Sequence, residues 1–318
     1  MNYLTNNIKK LEKETLENIK LSKSKNTIRA YKSDFTDFTN FCNIHSLKSL
    51  PADYKTVSIY ITHLFKNKQK LSSIQRKLVS ISVIHKIKGF YIDIKNPIIV
   101  ENFLGIKRQI GIAQKGKKPL TIENLKKIIN SINSNEVCLA RKLRDKTILL
   151  IGFAGGFRRS ELINLNYEDL DFVNEGVKIK ITKSKTDQFG EGMIKAIPYF
   201  DNEEFCPVIN LKKMLEKCEI NDAGIFRRIS KSGKVLQNRL TDQNVALILK
   251  KYLTIVGLDN INFSGHSLRS GFATASAESG ADERSIMNMT GHKSSEMVRR
   301  YIKESNLFKN NPLKKMSF

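Results

Sequence analysis

Apolar residues recur every three or four positions along most of this chain, and that helical spacing constrains the fold more than any other feature of the sequence. The clearest face consists of Ile28, Tyr31, Phe35, Phe38 and Phe41. Three further helices are predicted nearby: Asp53 to Lys66, a third capped by Ser72 or Ser73 and carrying Ile84, and a fourth from Asn96-Pro97 to about Gly105. Short amphipathic helices of this kind predict a small α-helical domain.

The second half of the chain continues the helical pattern but contains alternating stretches. Val177, Ile179 and Ile181 alternate with lysines, which predicts a strand, and a second strand should end near Pro198. The other expected elements are a helix capped by Thr121, helices over Glu136 to about Ala154 and Pro207 to Cys218, a short hairpin over Phe226 to Val235, a helix capped by Thr241, and three helices between Gly265 and Ile302. The predicted fold class is mainly α with a small antiparallel β-sheet, an α+β protein.

Length and a local change in composition predict two domains. A chain of 318 residues exceeds what one compact core usually holds. The segment Ile106 to Lys118 is cationic and lacks acidic residues, which suits an ordinary solvated linker and equally a basic strap along a phosphate backbone. We expect an N-terminal extension over residues 1–20, either a charged helix or disordered, a helical domain over 21–110, a basic linker over 111–118, and a second domain with a C-terminal tail over 119–318.

The net charge of +24 and a pI near 9.8 indicate a polyanionic partner, with DNA or RNA as the first candidate. A lysine-rich chain encoded by AT-rich codons would carry the same charge without such a partner. The cysteines lie far apart without a CxxC pair, which argues against a zinc knuckle or a disulfide framework. Because the N-terminus has no apolar signal core and the run Ile148 to Phe157 is too short to span a bilayer, we expect a soluble, cytoplasmic chain with no membrane partner.

The stretch from Gly265 to Ile302 carries the residues with the clearest chemistry. It holds His266, Arg269 three residues later, His292, and Tyr301 nine residues after that. A phenol with a pKa of about 10 is a poor nucleophile at neutral pH, so covalent catalysis by tyrosine needs cations that stabilise the phenolate and the group it attacks. A guanidinium grips two phosphate oxygens at once, and helical spacing places the first histidine and the arginine on one face. Such a set can cut a phosphodiester.

Four short motifs follow one another along the chain. They are GGFRRSEL around Arg158, SKTDQFGEG around Lys185, GHSLRSGFATA around His266 and Arg269, and TGHKSSEMVRRYI around His292 and Tyr301. In order and spacing, from about residue 119 to residue 305, they resemble the tyrosine recombinase family, which includes phage integrases and Xer-type recombinases. The segment NTIRAYKSDFTDFTNFC is similar to the core-binding, SAM-like domain of that family. The resemblance implies a two-domain DNA clamp, in which residues 21–110 form a helical DNA-binding domain and residues 119–318 form a tyrosine recombinase catalytic domain with a C-terminal tail.

The resemblance implies roles for the basic residues. Arg158 and Arg269 would hold the scissile phosphate, and His266 would contact it and assist proton transfer. Lys185, at the turn between the two predicted strands, would be the general acid that protonates the leaving 5′ oxygen. The arginines would then do what a metal ion does in other enzymes of phosphoryl transfer.

The remaining site residues take their roles from the same resemblance. His292 would orient and hydrogen-bond the phosphate, and Tyr301 would be the nucleophile that forms a 3′-phosphotyrosine. Glu161 would order Arg158 or its neighbours from behind, since the two lie at helical spacing. The phosphotyrosine keeps the energy of the broken bond, so religation needs no ATP. The chain also lacks a GxxxxGK[ST] loop and a carboxylate cluster suited to two metals, and we expect no cofactor and no metal.

Each of these residues has a structural alternative. Arg159 and Lys183 lie beside the favoured arginine and lysine and compete with them for the same roles. His292 considered alone fits a helix cap or a core position, and Tyr301 fits a packed aromatic, because Val298 lies at helical spacing from it. The register of the family motifs favours the catalytic interpretation in each case.

These expectations combine into one function with two alternatives. The chain should cut and rejoin double-stranded DNA site-specifically by transesterification, as a homotetramer on two DNA sites, alone or with a paralogous recombinase. A type IB topoisomerase shares this chemistry but relaxes supercoils without exchanging strands, and a non-catalytic architectural DNA-binding protein could use the same fold. The apolar Leu307, Phe308 and Leu313 in an otherwise polar tail suggest that the tail docks on a neighbouring protomer.

Overall fold

The structure is a computed structural model that describes residues 8, 10–11, 13–15, 17–18, 22–111, 116–182, 192–292, 294–306 and 316. It divides into two compact units, Met1–Lys115 and Gly116–Phe318. The residues described between positions 8 and 18 are helical. Residues 183–191, which include Lys183 and Lys185, lie outside the described residues. Among the helices that are described, none combines the length and the hydropathy that a bilayer span requires.

The first unit is built from amphipathic helices at the positions that the spacing predicts. They are α1 Lys25–Ile44, α2 Tyr54–Lys66, α3 Leu71–Ile87 and α4 Pro97–Ile110. The side chains of Ser24, Asp53 and Asn96 accept hydrogen bonds from backbone N–H groups in the first turns of α1, α2 and α4. The apolar faces meet in one core that includes Phe38 and Tyr60.

The predicted cap of the third helix is wrong. α3 begins at Leu71, directly after Lys70, so Ser72 and Ser73 both lie within its first turn. Lys70 makes no side-chain cap bond. Leu71 packs against the core of the unit, and this packing sets the start of the helix in place of a hydroxyl cap.

The fourth helix is longer than predicted. It continues through Gly105 to Ile110 and ends at Gly111, whose φ of 76° is in the left-handed region. A glycine inside a helix costs roughly 1 kcal/mol relative to alanine. Ile106 directly after it is buried in the core, and burying such a side chain contributes about 1.5–3 kcal/mol, so the helix continues.

The second unit combines helices with two small antiparallel sheets, which confirms the predicted fold class. Its elements in chain order are α5 Ile122–Ser134, α6 Leu139–Ala154, α7 Arg159–Ile163, β1 Leu170–Val173, β2 Gly176–Ile181, β3 Met193–Pro198, α8 Pro207–Lys217, β4 Arg227–Ile229, β5 Val235–Arg239, α9 Asp242–Ile255, α10 Ser267–Glu278, α11 Glu283–Thr290 and α12 Ser295–Asn306. Short 3-10 turns lie at Tyr167–Asp169 and Asn260–Asn262. The strands form one sheet in the order β1-β2-β3 and a hairpin of β4 and β5.

The register of the larger sheet determines which face of β3 is buried. Ile179 lies opposite Lys195, and Ile181 lies opposite Met193. Lys195 therefore points to the same side as Ile197, into the protein, whereas Ile194 is 68% exposed. A basic residue thus occupies a core position in β3.

The helix α10 has neighbours on several sides. It packs against α6, α11 and α12, and Leu268 belongs to the main core of the unit. Gly271 allows a close approach, because a Cβ there would lie 2.1 Å from the backbone oxygen of Leu120. In addition, the N–H of Leu120 donates to the oxygen of Ser267 at 2.9 Å. The start of α10 is consequently fixed to the segment around Leu120, directly before α5.

Candidate active site

A tight turn after α6 brings Arg158 to the start of the short helix α7. α6 ends at Gly155, and Gly156 follows with a φ of 53°. A Cβ on Gly156 would lie 2.9 Å from Cδ1 of Phe272 and 3.1 Å from Cγ2 of Thr290. Both the backbone conformation and the lack of space require glycine here. Hydrogen bonds from Arg269 of α10 to Gly156 and from Arg158 to Gly291, directly after α11, place the start of α7 near these two helices.

Arg158 is held by two partners. Its Nη1 donates to Oε1 of Glu161 at 2.6 Å and its Nη2 donates to the oxygen of Gly291 at 3.1 Å. The backbone N–H of Arg158 also donates to Oε2 of Glu161 at 3.0 Å, so one carboxylate caps the helix and orients the guanidinium. The carboxylate is 2% exposed and the guanidinium side chain 16% exposed. The ion pair expected from the i,i+3 spacing is therefore present.

Arg269, in the first turn of α10, is 1% exposed. Its Nη1 donates to the oxygen of Gly156 at 2.9 Å. Within the part of the chain that the structure describes, Nε and Nη2 are buried and lack a hydrogen-bond partner. Burial, followed by the charge of Arg158, lowers the pKa of Arg269 to about 10, so the guanidinium stays charged at neutral pH. Unpaired buried donors of this kind favour an anionic acceptor.

His266 is the residue directly before α10, and its side chain is exposed. Its pKa is lowered by the protein atoms that displace water from around the ring and, after that, by the positive charges of Arg269, Arg158 and Arg159. The imidazole is therefore neutral at pH 7. A neutral ring at this position can accept a proton at one nitrogen while it donates a hydrogen bond from the other.

His292 follows the end of α11 and is partly buried. Desolvation and the charges of Arg269 and Arg158 lower its pKa to about 4. Its Nδ1 lies 2.8 Å from Oγ1 of Thr290, and that hydroxyl donates to the oxygen of Ile286 at 2.6 Å. The hydroxyl proton is thus already used, so Nδ1 carries the ring proton in the tautomer that this network assigns, and Nε2 bears a lone pair.

Tyr301 lies on α12 and packs against a small cluster shared by α10, α11 and α12. The buried members of that cluster are Ala273, Ala277, Ile286 and Val298. Arg299 on the same helix donates from Nε to Glu283 of α11 at 3.1 Å. Tyr301 is also close enough to Arg269 to raise the pKa of that arginine electrostatically. The phenol and the buried guanidinium therefore belong to one site.

The structure brings the predicted residues together, except Lys185, which lies outside the described residues. Arg158, Glu161, His266, Arg269, His292 and Tyr301 all lie around the junction of α7, α10, α11 and α12. Met193, the first residue of β3, lies next to this junction. A Cβ on Gly291 would lie 3.3 Å from Sδ of Met193 and 3.8 Å from Nη1 of Arg158.

One charged residue that lies in this region was not predicted from the sequence. Lys195 on β3 is fully buried, and its Nζ lies 4.7 Å from the centre of the Phe157 ring. Burial lowers its pKa to about 7, and the charges of Arg269 and Arg158 act in the same direction. The signal was available, since extending the strand alternation back from Ile197 places Lys195 on the inner face.

The arrangement can bind a tetrahedral oxyanion beside a phenol. Among the described residues of the site, the guanidinium groups of Arg158 and Arg269 outnumber the carboxylate of Glu161, and both imidazoles are neutral at pH 7, so this part of the site has excess positive charge. The free edge of Arg269, Nε with Nη2, has the geometry that grips two oxygens of one phosphate. A phenol next to such an anion-binding site can act as a nucleophile towards it.

Comparison with known proteins identifies the family. The model of the Phage integrase family matches residues 118–307, and that of the phage integrase N-terminal SAM-like domain matches residues 13–88. The integrase/recombinase XerD homolog of Selenomonas ruminantium is 39% identical over 313 residues, which cover 98% of this chain and 91% of that protein. The tyrosine recombinase XerC of Thermodesulfovibrio yellowstonii is 29% identical over 288 residues, 88% of this chain and 86% of the relative.

Solved structures of distant sequence share the fold. The Tn1549 transposon integrase in complex with transposon right end DNA matches with a TM-score of 0.60 at 16% identity, covering 88% of this chain and 89% of that chain. The lambda integrase bound to a COC′ core site matches with a TM-score of 0.57 at 18% identity, covering 91% and 93%. The family models and the relative of nearly full length decide the assignment: the chain belongs to the phage integrase family and is a tyrosine recombinase.

Proposed function

We propose that the chain cuts and rejoins double-stranded DNA at specific sites through a covalent bond between Tyr301 and a 3′ phosphate. The observation that carries this proposal is the buried edge of Arg269, whose Nε and Nη2 have no partner in the described part of the chain. Leaving such donors unpaired costs about 1–3 kcal/mol or more for a charged group, and a phosphate would satisfy both. The phenol of Tyr301 acts electrostatically on that same guanidinium.

The two arginines have different parts in this proposal. Arg158 is oriented by Glu161 and Gly291 and presents its remaining N–H groups to one phosphate oxygen. Arg269 binds through its unpaired edge. Together they neutralise the charge that develops on the phosphorus oxygens when the tyrosine attacks, which is the largest contribution that a preorganised site makes to catalysis.

The histidines handle protons and orientation. Neutral His266, exposed beside the arginines, takes up the phenolic proton as Tyr301 attacks. His292 has its Nδ1 proton committed to Thr290, so its Nε2 must gain a proton before it can donate to a phosphate oxygen. The negative charge on the phosphate, which increases in the transition state, raises the pKa of the His292 ring and favours protonation of Nε2.

The chemical step exchanges one phosphodiester for another. The phenolic oxygen of Tyr301 forms a bond to phosphorus, the bond from phosphorus to the 5′ oxygen breaks, and Lys185 gives a proton to that oxygen. In the second half, the 5′ hydroxyl of a partner strand attacks the phosphotyrosine and the phenol leaves. Because the number of ester bonds is unchanged, the cycle needs no nucleotide energy source.

A substrate with a nick next to the cleavage site tests the proposal. Cleavage releases a short fragment that carries the 5′ hydroxyl, and once this fragment diffuses away the strand cannot be rejoined, so the covalent state is trapped. Wild type should become attached to the DNA, and Tyr301→Phe should bind the same DNA without attachment. A covalent adduct in Tyr301→Phe would refute the nucleophile, and relaxation of supercoils without strand exchange by wild type would instead favour topoisomerase activity.

We propose that the first unit and the segment over 111–118 bind DNA together with the catalytic unit. The net charge of +24 and the match of residues 13–88 to the SAM-like domain support this. Affinity for DNA should then fall steeply with salt, because many phosphate contacts release counterions. A nearly flat salt dependence of the Kd would contradict it.

We propose that the active form is a homotetramer on two DNA sites and that the tail contributes to assembly. The second unit has an apolar cavity of about 630 Å³, lined by residues that include Phe153, Phe205, Phe272 and Met289. Its character matches the apolar tail residues Leu307, Phe308 and Leu313, which lie outside the described residues. Deleting residues 306–318 should abolish synapsis of two sites while leaving binding to one site intact. Unchanged recombination after this deletion would refute the role of the tail.

A further inference from the structure

Lys195 makes a set of contacts that the mechanism above does not use. It is 0% exposed, and lysine is almost never fully buried unless it is paired. Its Nζ donates to the backbone oxygen of Gly155 at 2.6 Å and to that of Met289, and it lies over the ring of Phe157. The carbonyl oxygens and the aromatic face replace part of the hydration that the ammonium loses on burial.

The two carbonyl oxygens belong to the two segments that carry catalytic candidates. Gly155 ends α6 three residues before Arg158, and Met289 lies in α11 three residues before His292. The arginines make parallel contacts, since Arg269 donates to Gly156 and Arg158 donates to Gly291. Through its bonds to Gly155 and Met289, Lys195 of β3 connects the end of α6 and the end of α11 to the sheet.

We propose that Lys195 is a positioning residue for DNA cleavage: its side chain holds the turn before Arg158 and the end of α11 before His292 at one separation. Both residues then reach the same phosphate. The inference rests on the proposed function. Because Nζ points to backbone oxygens inside the protein and the side chain is fully buried, Lys195 acts through these residues and does not touch the DNA.

The charges around Lys195 make its protonation depend on substrate. Burial lowers its pKa to about 7, Glu161 opposes this, and Arg269 and Arg158 add to it. A phosphate bound between the arginines adds negative charge nearby and favours the protonated amine. Ammonium donors form stronger hydrogen bonds to carbonyls than neutral amines do, so substrate strengthens the contacts that hold the site.

The test compares three variants in single-turnover cleavage of the nicked substrate. Lys195→Met keeps the length and removes the donors, Lys195→Arg keeps a cation of different shape, and Lys185→Ala removes the proposed general acid. Each is assayed on DNA with the ordinary 5′ oxygen and on DNA with sulfur in that bridging position. A thiolate leaves without protonation, because thiols have a pKa of about 8.5.

A positioning role predicts that Lys195→Met cleaves about 10²-fold more slowly with oxygen and with sulfur alike, while its DNA affinity stays close to that of wild type. Lys185→Ala should recover with sulfur. Recovery of Lys195→Met with sulfur would show instead that Lys195 is the proton donor, and cleavage at the wild-type rate would show that it positions nothing. Either result overturns the inference.

Lys195→Arg keeps the test decisive if the methionine variant does not fold. Arginine stays charged throughout the accessible pH range, so any decline of the cleavage rate above pH 7 that wild type owes to Lys195 should disappear in this variant. An unchanged pH profile, together with an unchanged rate, would refute the inference. Absence of a covalent adduct in wild type would refute the proposed function itself, which keeps the two failures distinct.

Discussion

Replacing Arg269 by methionine should leave the free protein as stable as wild type, or more stable, while abolishing DNA cleavage. Burial lowers the pKa of Arg269 from the usual value of an exposed guanidinium to about 10 in the folded protein. At about 1.4 kcal/mol per pKa unit, keeping this group charged costs roughly 3 kcal/mol. The substitution removes that cost and also the bond to Gly156, a charge-assisted hydrogen bond of about 1.5–3 kcal/mol. The net change in the free energy of unfolding is between zero and about 2 kcal/mol in favour of the variant.

Arg158→Met is the matched control, since its guanidinium is paired. Removing it leaves the carboxylate of Glu161, which is 2% exposed, buried without its cation. Breaking one side of a buried ion pair costs about 3–5 kcal/mol. The two substitutions remove the same chemical group from neighbouring positions, so they should shift stability differently while both prevent cleavage.

Urea unfolding at pH 7, followed by circular dichroism of the full chain, measures both variants against wild type. The midpoint for Arg269→Met should lie at or above that of wild type, and the midpoint for Arg158→Met well below it, with similar slopes. If Arg269→Met is destabilised as much as Arg158→Met, then Arg269 has partners that stabilise it, and the reasoning from its unpaired edge fails. Adding target DNA should stabilise wild type more than Arg269→Met.

Three further substitutions follow from the same site. His292 has a pKa of about 4 in the folded protein, below its usual 6.5, so its contribution to stability should be complete above pH 6.5. The free energy of unfolding should decline from there towards pH 4 by less than about 1.4 kcal/mol per pH unit. Urea titrations of His292→Asn should show a shallower decline, and a decline equal to that of wild type would contradict the lowered pKa. Lys195 has a folded pKa of about 7, below its usual 10.5, so the stability of wild type relative to Lys195→Met should rise between pH 7 and 9, whereas a constant difference would count against burial of its charge. Gly156→Ala should lower the free energy of unfolding by about 1–3 kcal/mol, because φ is positive and Phe272 leaves no room; a thermal melt matching wild type would disprove that constraint.

Helical spacing was sufficient to predict the helices of the first unit, and helical spacing together with the alternation at Val177, Ile179 and Ile181 predicted the α+β class of the second. The residues at which helices begin and end were harder to predict, as α3 shows. Serine is a good cap in isolation, yet Leu71 packs against the core and starts the helix before either serine. The strand β1 was not predicted, because its residues are half-buried or exposed and show no clean alternation. Packing between elements, which spacing along the chain does not encode, decided both outcomes.

For the site, the sequence was sufficient to predict the residues that carry chemistry, but not the backbone groups that hold their side chains in place. The pair of Arg158 and Glu161 follows from i,i+3 spacing, and the structure contains it. A sequence does not indicate which backbone oxygens accept these hydrogen bonds, since every residue has one. In the structure they are the oxygens of Gly155, Gly156, Gly291 and Met289. The roles of the site residues in cleavage remain predictions that the substitutions above address.

Lys195, Arg269 and Arg158 each bond to the main chain, in addition to the ion pair of Arg158 with Glu161. Lys195 bonds to Gly155, Arg269 to Gly156 and Arg158 to Gly291. Backbone oxygens keep their positions when side chains change, so neighbouring residues other than Glu161 can vary without moving these three charges. For exchanging parts between recombinases, the end of α6 with its turn, strand β3 and the end of α11 therefore form one transferable block. A chimera that takes all three from one parent keeps the site, and a chimera that divides them between parents mismatches the anchors.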